Sequence, residues 1–253
     1  MIVDSHAHYD DPAFDADRDE VLKRVFEVTH RVINIGINAE RSRSTAELAY
    51  KYPQMYAAVG IHPLETDNFE KELPVIEKLA ELEKVAAIGE IGLDYHIPAD
   101  RERQKAAFAA QLEIAGAHSL PVVIHTRNAW EDTFEILERY RPKGVVHSFS
   151  GSAQTALRII RLGMYIGFTG FITDPNVKKG NKALSVIPAE RILIETDAPC
   201  QPPVSHRGER CDSLMLPETA AHIAAAKGTE TEFFAALAAE NTLRLFNIGR
   251  DRE

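Results

Sequence analysis

The chain has 253 residues, 45% of them hydrophobic, and it carries a net charge of -9. This acidic balance does not favour broad binding to nucleic acids or anionic membranes, although bound metal ions can still dominate the field at a local phosphate site. No apolar run approaches the roughly 18 residues that a membrane helix requires. With only two cysteines and no basic leader before the first apolar residues, we expect a cytoplasmic protein without disulfide bonds.

Apolar runs alternate with segments of helical spacing along the whole chain. The runs predict strands at residues 2–8, 32–38, 55–62, 85–94, 121–127, 144–150, 164–173 and 192–197. The helical patterns cover residues 15–28, 41–51, 70–82, 101–119, 129–140, 153–162, 181–187, 217–227 and 232–246. Eight strand–helix units in about 250 residues predict an α/β fold, the (β/α)8 TIM barrel, as a single domain over residues 1–253. A doubly wound open sheet is the alternative fold.

Polar side chains stand at the ends of the predicted strands. His6 and His8 close the first strand and share one of its faces, because successive side chains alternate between faces. Later strands end in or carry His62, Glu90, Asp94, His125, Arg127, His147, Glu195 and Asp197. Each residue alone has a structural explanation, such as a hydrogen-bonded core histidine or a buried ion pair. Together, at the mouth of a barrel where active sites are built, they predict a metal site.

Six segments in this order resemble the TatD family of metal-dependent DNases, in the amidohydrolase-like barrel superfamily. They are IVDSHAHYD at residues 2–10, GIHP at 60–63, GEIGLDY at 89–95, PVVIHTR at 121–127, HSFSG at 147–151 and ETDAP at 195–199. The resemblance covers nearly the whole chain. It departs in the loop after Gly208, where residues 209–213 differ from the continuation often seen in the family, and this loop bears on substrate preference.

The resemblance implies two divalent cations and hydrolysis of DNA phosphodiester bonds. It assigns one cation to His6, His8 and Asp197 and the second to His125 and His147, and Glu90 would bridge the two. A mixed nitrogen and oxygen ligand set accepts Zn, Mn, Mg or Co. The implied reaction is attack by a hydroxide that two metals activate, with Asp197 and Glu90 as catalytic residues and Asp197 accepting the proton of the water.

The remaining polar residues are candidates for contact with substrate. This set comprises His62, Asp94, Arg127, Glu195 and Arg207. Other roles stay open. His62 could cap a turn, and Arg207 could be solvated. Glu195 could orient a histidine, and Asp94 could support a ligand or form an ion pair with a basic helix residue.

An acidic chain without a basic arm or a known nucleic-acid-binding motif favours exonuclease action on single-stranded DNA or on ends, where few phosphates are held. No membrane and no obligate protein partner are implied. The alternatives are a two-metal hydrolase of a small-molecule amide, lactone or ester, a hydrolase of an aminoacyl-nucleic-acid ester and, least favoured, a non-catalytic scaffold.

Overall fold

The computed structural model describes residues 1–249, in which strands and helices alternate. The strands are β1 (Val3–Ala7), β2 (Arg31–Ile35), β3 (Met55–Val59), β4 (Val85–Asp94), β5 (Val122–Arg127), β6 (Gly144–Val146), β7 (Tyr165–Phe168) and β8 (Ile192–Ile194). The helices are α1 (Arg18–Val28), α2 (Ala39–Lys51), α3 (Phe69–Ala80), α4 (Arg101–Ala117), α5 (Trp130–Tyr140), α6 (Ala153–Arg161), α7 (Lys178–Leu184), α8 (Leu216–Lys227) and α9 (Thr231–Phe246).

The strands form a sheet in which they follow one another in chain order. Pairing is parallel between β3 and β4, β4 and β5, β5 and β6, and β7 and β8. The predicted (β/α)8 fold class is therefore confirmed. Within the described residues, no helix has both the length and the apolarity that crossing a membrane requires.

The last three strands are shorter than predicted. β6 ends at Val146, β7 at Phe168 and β8 at Ile194, so several of the predicted site residues follow a strand instead of lying within it. Backbone conformation gives the reason, because Ser148 has φ 46° and Asp197 has φ 58°. These left-handed values are incompatible with an extended strand. After β7 the chain instead forms a 3-10 helix, Gly170–Thr173.

The described chain divides into two compact units. Unit 1 contains residues 1–33 and the chain from residue 148 onward, and unit 2 contains residues 34–147. The single domain expected from the sequence stays a prediction.

Helix α4 fixes two backbone segments of unit 2 through buried glutamines. Gln104 accepts from the N–H of Asp94 at 2.9 Å and donates to its carbonyl at 3.0 Å. Gln111 makes the same pair of bonds with the backbone of Ile61, at 2.6 and 3.0 Å. Because buried backbone groups need hydrogen-bond partners, these amides stabilise the end of β4 and the segment that follows β3.

A buried carboxyl group, that of Asp4 on β1, joins distant parts of unit 1. It accepts hydrogen bonds from the hydroxyls of Thr196 and Ser213 at 2.7 and 2.6 Å. It also accepts from the backbone N–H groups of Thr196 and His6, at 3.1 and 3.2 Å. Tyr9 extends the network, since its hydroxyl lies 2.7 Å from Ser213 Oγ. Burial raises the pKa of Asp4 to about 7 despite these bonds.

We predict that Gly92→Ala destabilises the protein by about 2–4 kcal/mol. Gly92 pairs with His125 across β4 and β5, its φ is 142°, and an added Cβ would overlap the carbonyl oxygen of His125. Chemical unfolding checks this prediction. Gly116→Ala is the matched control, because Gly116 is exposed on α4 with open space around it. The control should be neutral or stabilising by about 0.5 kcal/mol. Equal stability of the two variants would contradict the prediction.

A second prediction concerns pH and Asp4. Because the native pKa is about 7 and the usual pKa of an aspartate is 3.8, the native state retains, between these two pH values, a proton that the unfolded state has released. The contribution of Asp4 to the free energy of unfolding should therefore be fully present below pH 3.8 and should decline as the pH rises to about 7. The decline is about 1.4 kcal/mol per pH unit. Urea unfolding of metal-free wild type and Asp4→Asn from pH 4.5 to 7.5 measures the difference, and parallel curves would contradict the assignment.

Candidate metal centre

Unit 1 brings together His6, His8 and Asp197. The Nε2 atoms of the two histidines lie 3.1 Å apart, and Asp197 Oδ1 lies 3.4 Å from each of them. Ligand atoms that share one cation through bonds of about 2.0–2.2 Å have separations of this size. Two imidazole nitrogens and a carboxylate oxygen that face one another also require a cation or protons between them. The donor set of this group therefore fits a divalent metal ion.

Backbone hydrogen bonds place Asp197 beside the end of β1. The N–H of Asp197 donates to the carbonyl of His6 at 2.9 Å, and the N–H of His8 donates to the carbonyl of Ala198 at 2.8 Å. Ala7 and Ala198 form a parallel bridge at the same point. The alternation of β1 puts both histidines on one side, as the sequence predicts. Asp197 reaches them from a left-handed turn instead of from a strand.

Gln201 also contacts this group, and the sequence analysis did not identify it. Its Nε2 donates to Asp197 Oδ2 at 2.5 Å. Its Oε1 accepts from the hydroxyls of Ser148 and Thr169, both at 2.8 Å. The neighbouring prolines signal a turn here, but nothing in the spacing of residues 197–203 marks a glutamine as a partner of the carboxylate.

Unit 2 gathers imidazoles around one buried carboxylate, that of Glu90 on β4, which is 3% exposed. Its Oε1 lies 2.9 Å from His125 Nδ1, 3.1 Å from His147 Nε2 and 3.8 Å from His62 Nε2. Burial alone would raise the pKa of Glu90, but the three surrounding histidines hold it well below its usual range. The carboxylate is therefore ionised and surrounded by nitrogen donors, a set that fits a second cation.

His125 lies between two carboxylates. Its Nδ1 faces Glu90, and its Nε2 lies 3.0 Å from Asp94 Oδ2. Burial opposes protonation of this ring, but the two carboxylates together raise its pKa. The pKa of Asp94 is lowered, because the hydrogen bonds from His125 and the N–H of His96 outweigh burial. A cation bound by His125 would replace one of its ring protons, and the other nitrogen would keep its carboxylate partner.

His62 follows β3 and has a fixed tautomer. Its Nδ1 accepts the N–H of Leu64 at 3.2 Å. In a neutral imidazole the other nitrogen then carries the proton, so the Nε2 that lies 3.8 Å from Glu90 Oε1 is the protonated one. This arrangement includes the turn cap that the sequence left open. Although His62 lies close enough to Glu90 and His125 to form a ligand group with them, its tautomer favours donation to an anion.

The other predicted site residues have distinct surroundings. Arg127 is exposed at the end of β5. Glu195 is 1% exposed, and its oxygens accept from the N–H of Ser148 at 2.6 Å and the hydroxyl of Ser5 at 3.2 Å. Arg207 is exposed and forms an ion pair with Asp174. The assignment of these residues and of Asp94 to substrate stays a prediction, as does the bridging role of Glu90.

Comparison with known proteins bears on what these groups do. A family model described as TatD related DNase matches residues 3–247. The uncharacterized metal-dependent hydrolase YabD of Bacillus subtilis is 36% identical over 98% of this chain and 100% of its own length. A protein of Erwinia tasmaniensis named 3'-5' ssDNA/RNA exonuclease TatD is 36% identical over 93% of this chain and 95% of its own.

A solved structure agrees with these matches. The crystal structure of YJJV, a TatD homologue from Escherichia coli, superposes with a TM-score of 0.91 and 32% identity, covering 98% of each chain. The family model, the sequence relatives and the fold thus agree, and the chain, a metal-dependent hydrolase, belongs to the family of TatD-related DNases.

Proposed function

We propose that this protein is a metal-dependent deoxyribonuclease that acts as an exonuclease on single-stranded DNA or on ends. The observation that carries the proposal is that each unit contains its own group of imidazoles and a carboxylate with the donor chemistry of a divalent metal site. The members of both groups lie in the C-terminal parts of strands or in the segments that follow them, where barrel enzymes have their active sites. The name of the Erwinia relative supports a nucleic acid substrate.

In this proposal His6, His8 and Asp197 would hold one cation, and Glu90, His125 and His147 would hold the second. Zn, Mn, Mg and Co are all compatible with the donors. When bound, the cations supply Lewis acidity toward water and neutralise charge on the phosphate.

The chain's own residues supply the proton transfers and the positioning. Asp197 accepts a proton from the attacking water, whose oxygen forms a bond to phosphorus as the bond to the leaving oxygen breaks. The Nε2–H of His62 donates to a phosphate oxygen or to the leaving oxygen. Arg127, exposed at the end of β5, pairs with a non-bridging oxygen.

The negative charge of the chain favours contact with only a few phosphates of the substrate at a time. A net charge of -9 opposes a long polyanion, so few phosphates are held at a time. This favours ends and single strands over the interior of a duplex. The cytoplasmic location and the absence of an obligate protein partner stay predictions.

We predict that Glu90→Gln lowers both metal content and nuclease activity by at least about 100-fold, because it removes the charge on which three histidines converge. Elemental analysis measures the metal, and end-labelled single strands and duplexes measure cleavage. Glu113→Gln, an exposed change on α4, is the matched control and should behave as wild type. Full metal occupancy in Glu90→Gln would contradict the ligand assignment.

The same assay includes the alternative substrates. An ester, lactone and amide panel and an aminoacyl-nucleic-acid ester are offered to the metal-loaded enzyme beside DNA. We expect cleavage of DNA to exceed that of every small molecule. Efficient turnover of one of those compounds, together with no cleavage of DNA, would contradict the proposal and indicate a hydrolase of that compound instead.

We further predict that His62→Ala lowers kcat for DNA by about 10- to 100-fold and leaves metal content unchanged. The tautomer fixed by Leu64 makes Nε2 a donor to the substrate and not a ligand. Steady-state kinetics and elemental analysis of the same preparation check the two parts. Loss of one equivalent of metal would show that His62 is a ligand.

A further inference from the structure

We infer that Gln201 is a positioning residue that holds the Asp197 carboxylate ready for metal binding before the metal arrives. The inference rests on the proposed role of Asp197 as a ligand. It concerns residues of unit 1 only, and no pattern in the sequence assigns a role to this glutamine.

The orientation of the Gln201 amide is determined by its partners. If the amide were flipped, Oε1 would face Asp197 Oδ2 at 2.5 Å, and two acceptors would repel each other. In the orientation found, the amide nitrogen donates to the carboxylate. The hydroxyls of Ser148 and Thr169 both donate to Oε1. Thr169 is 3% exposed, so competition from water for this bond is small.

The two oxygens of Asp197 have different neighbours in this network. Oδ2 is held by Gln201, and Oδ1 lies 3.4 Å from the Nε2 atoms of both His6 and His8. The amide restrains rotation of the carboxylate about χ2 and exchange of its two oxygens. Fixing this torsion removes an entropic cost that metal binding would otherwise include, which is the general effect of groups that orient a ligand.

The backbone supports the same interpretation. Ser148, Asp197 and Gln201 have φ values of 46°, 58° and 52°. Left-handed conformations are uncommon for residues other than glycine and carry an energetic cost. Three of them occur within one hydrogen-bonded network, on segments that follow β6 and β8. The fold thus accepts unfavourable conformations where they bring the hydroxyl, the amide and the carboxylate together.

The test measures metal affinity and the stability of the metal-free protein separately. Gln201→Leu removes the amide and keeps most of the volume, and Thr169→Val removes one hydroxyl while Gln201 stays. Metal-free protein is titrated with Zn²⁺ against a competing chelator. We expect one site to weaken by about 10- to 100-fold in Gln201→Leu and by less in Thr169→Val. The double variant should be no weaker than Gln201→Leu, because the hydroxyl acts through the amide.

Controls separate this inference from the proposed function. Gln154→Leu, at an exposed position of α6, should bind Zn²⁺ as wild type does, and Asp197→Ala should lose one site. If Asp197→Ala retains both sites, the ligand assignment fails and the inference with it. If Asp197→Ala loses a site while Gln201→Leu keeps wild-type affinity, only the inference is overturned. Two further outcomes would assign Gln201 a purely structural role and also overturn the inference. One is additive losses of Zn²⁺ affinity in the double variant. The other is a lower melting temperature of metal-free Gln201→Leu that accounts for its weaker binding.

Discussion

The burial of the Glu90 carboxylate is the constraint on which unit 2 depends. Removing an ionised carboxylate from water costs several kcal/mol, and interactions with close partners in the interior must offset this cost. Three imidazoles supply these interactions: His125 lies on β5, and His62 and His147 follow β3 and β6. The positions of those strand ends are therefore tied to one charge. Helix α4 also stabilises the arrangement, because Gln104 and Gln111 form hydrogen bonds with the backbone N–H and C=O groups of Asp94 and Ile61.

Much of this arrangement follows from local rules that a sequence displays. Apolar runs alternating with helical spacing predict the fold class, since burial on both faces of a parallel sheet leaves few polar positions. The His6-x-His8 spacing predicts two rings on one side of β1, and the rings are 3.1 Å apart. β4 runs over Val85–Asp94 as the pattern indicates. All ten of its positions are buried, so its sequence is mostly apolar along its whole length.

The features that the sequence does not reveal depend on tertiary contacts. Asp197 lies in a left-handed turn, so the alternation that would put Glu195 on its face does not apply, and Glu195 is instead bonded to Ser5 and Ser148. Gln104, Gln111 and Gln201 all act through primary amides. An amide side chain suits a surface as well as a buried bond, so its role becomes visible only when its partners are known.

The Asp4 network has a consequence for synthesis of the chain. His6 on β1 and His8 just after it belong to one group with Asp197. Asp4, also on β1, accepts hydrogen bonds from Thr196 and Ser213, about two hundred residues later. On a chain that is being synthesised, His6 and His8 lack Asp197 until more than three quarters of the 253 residues have been made. Contacts this distant in sequence form late, because the loop must be closed before they contribute. The order of translation therefore delays completion of the group of His6, His8 and Asp197 until the C-terminal part of the chain has been made.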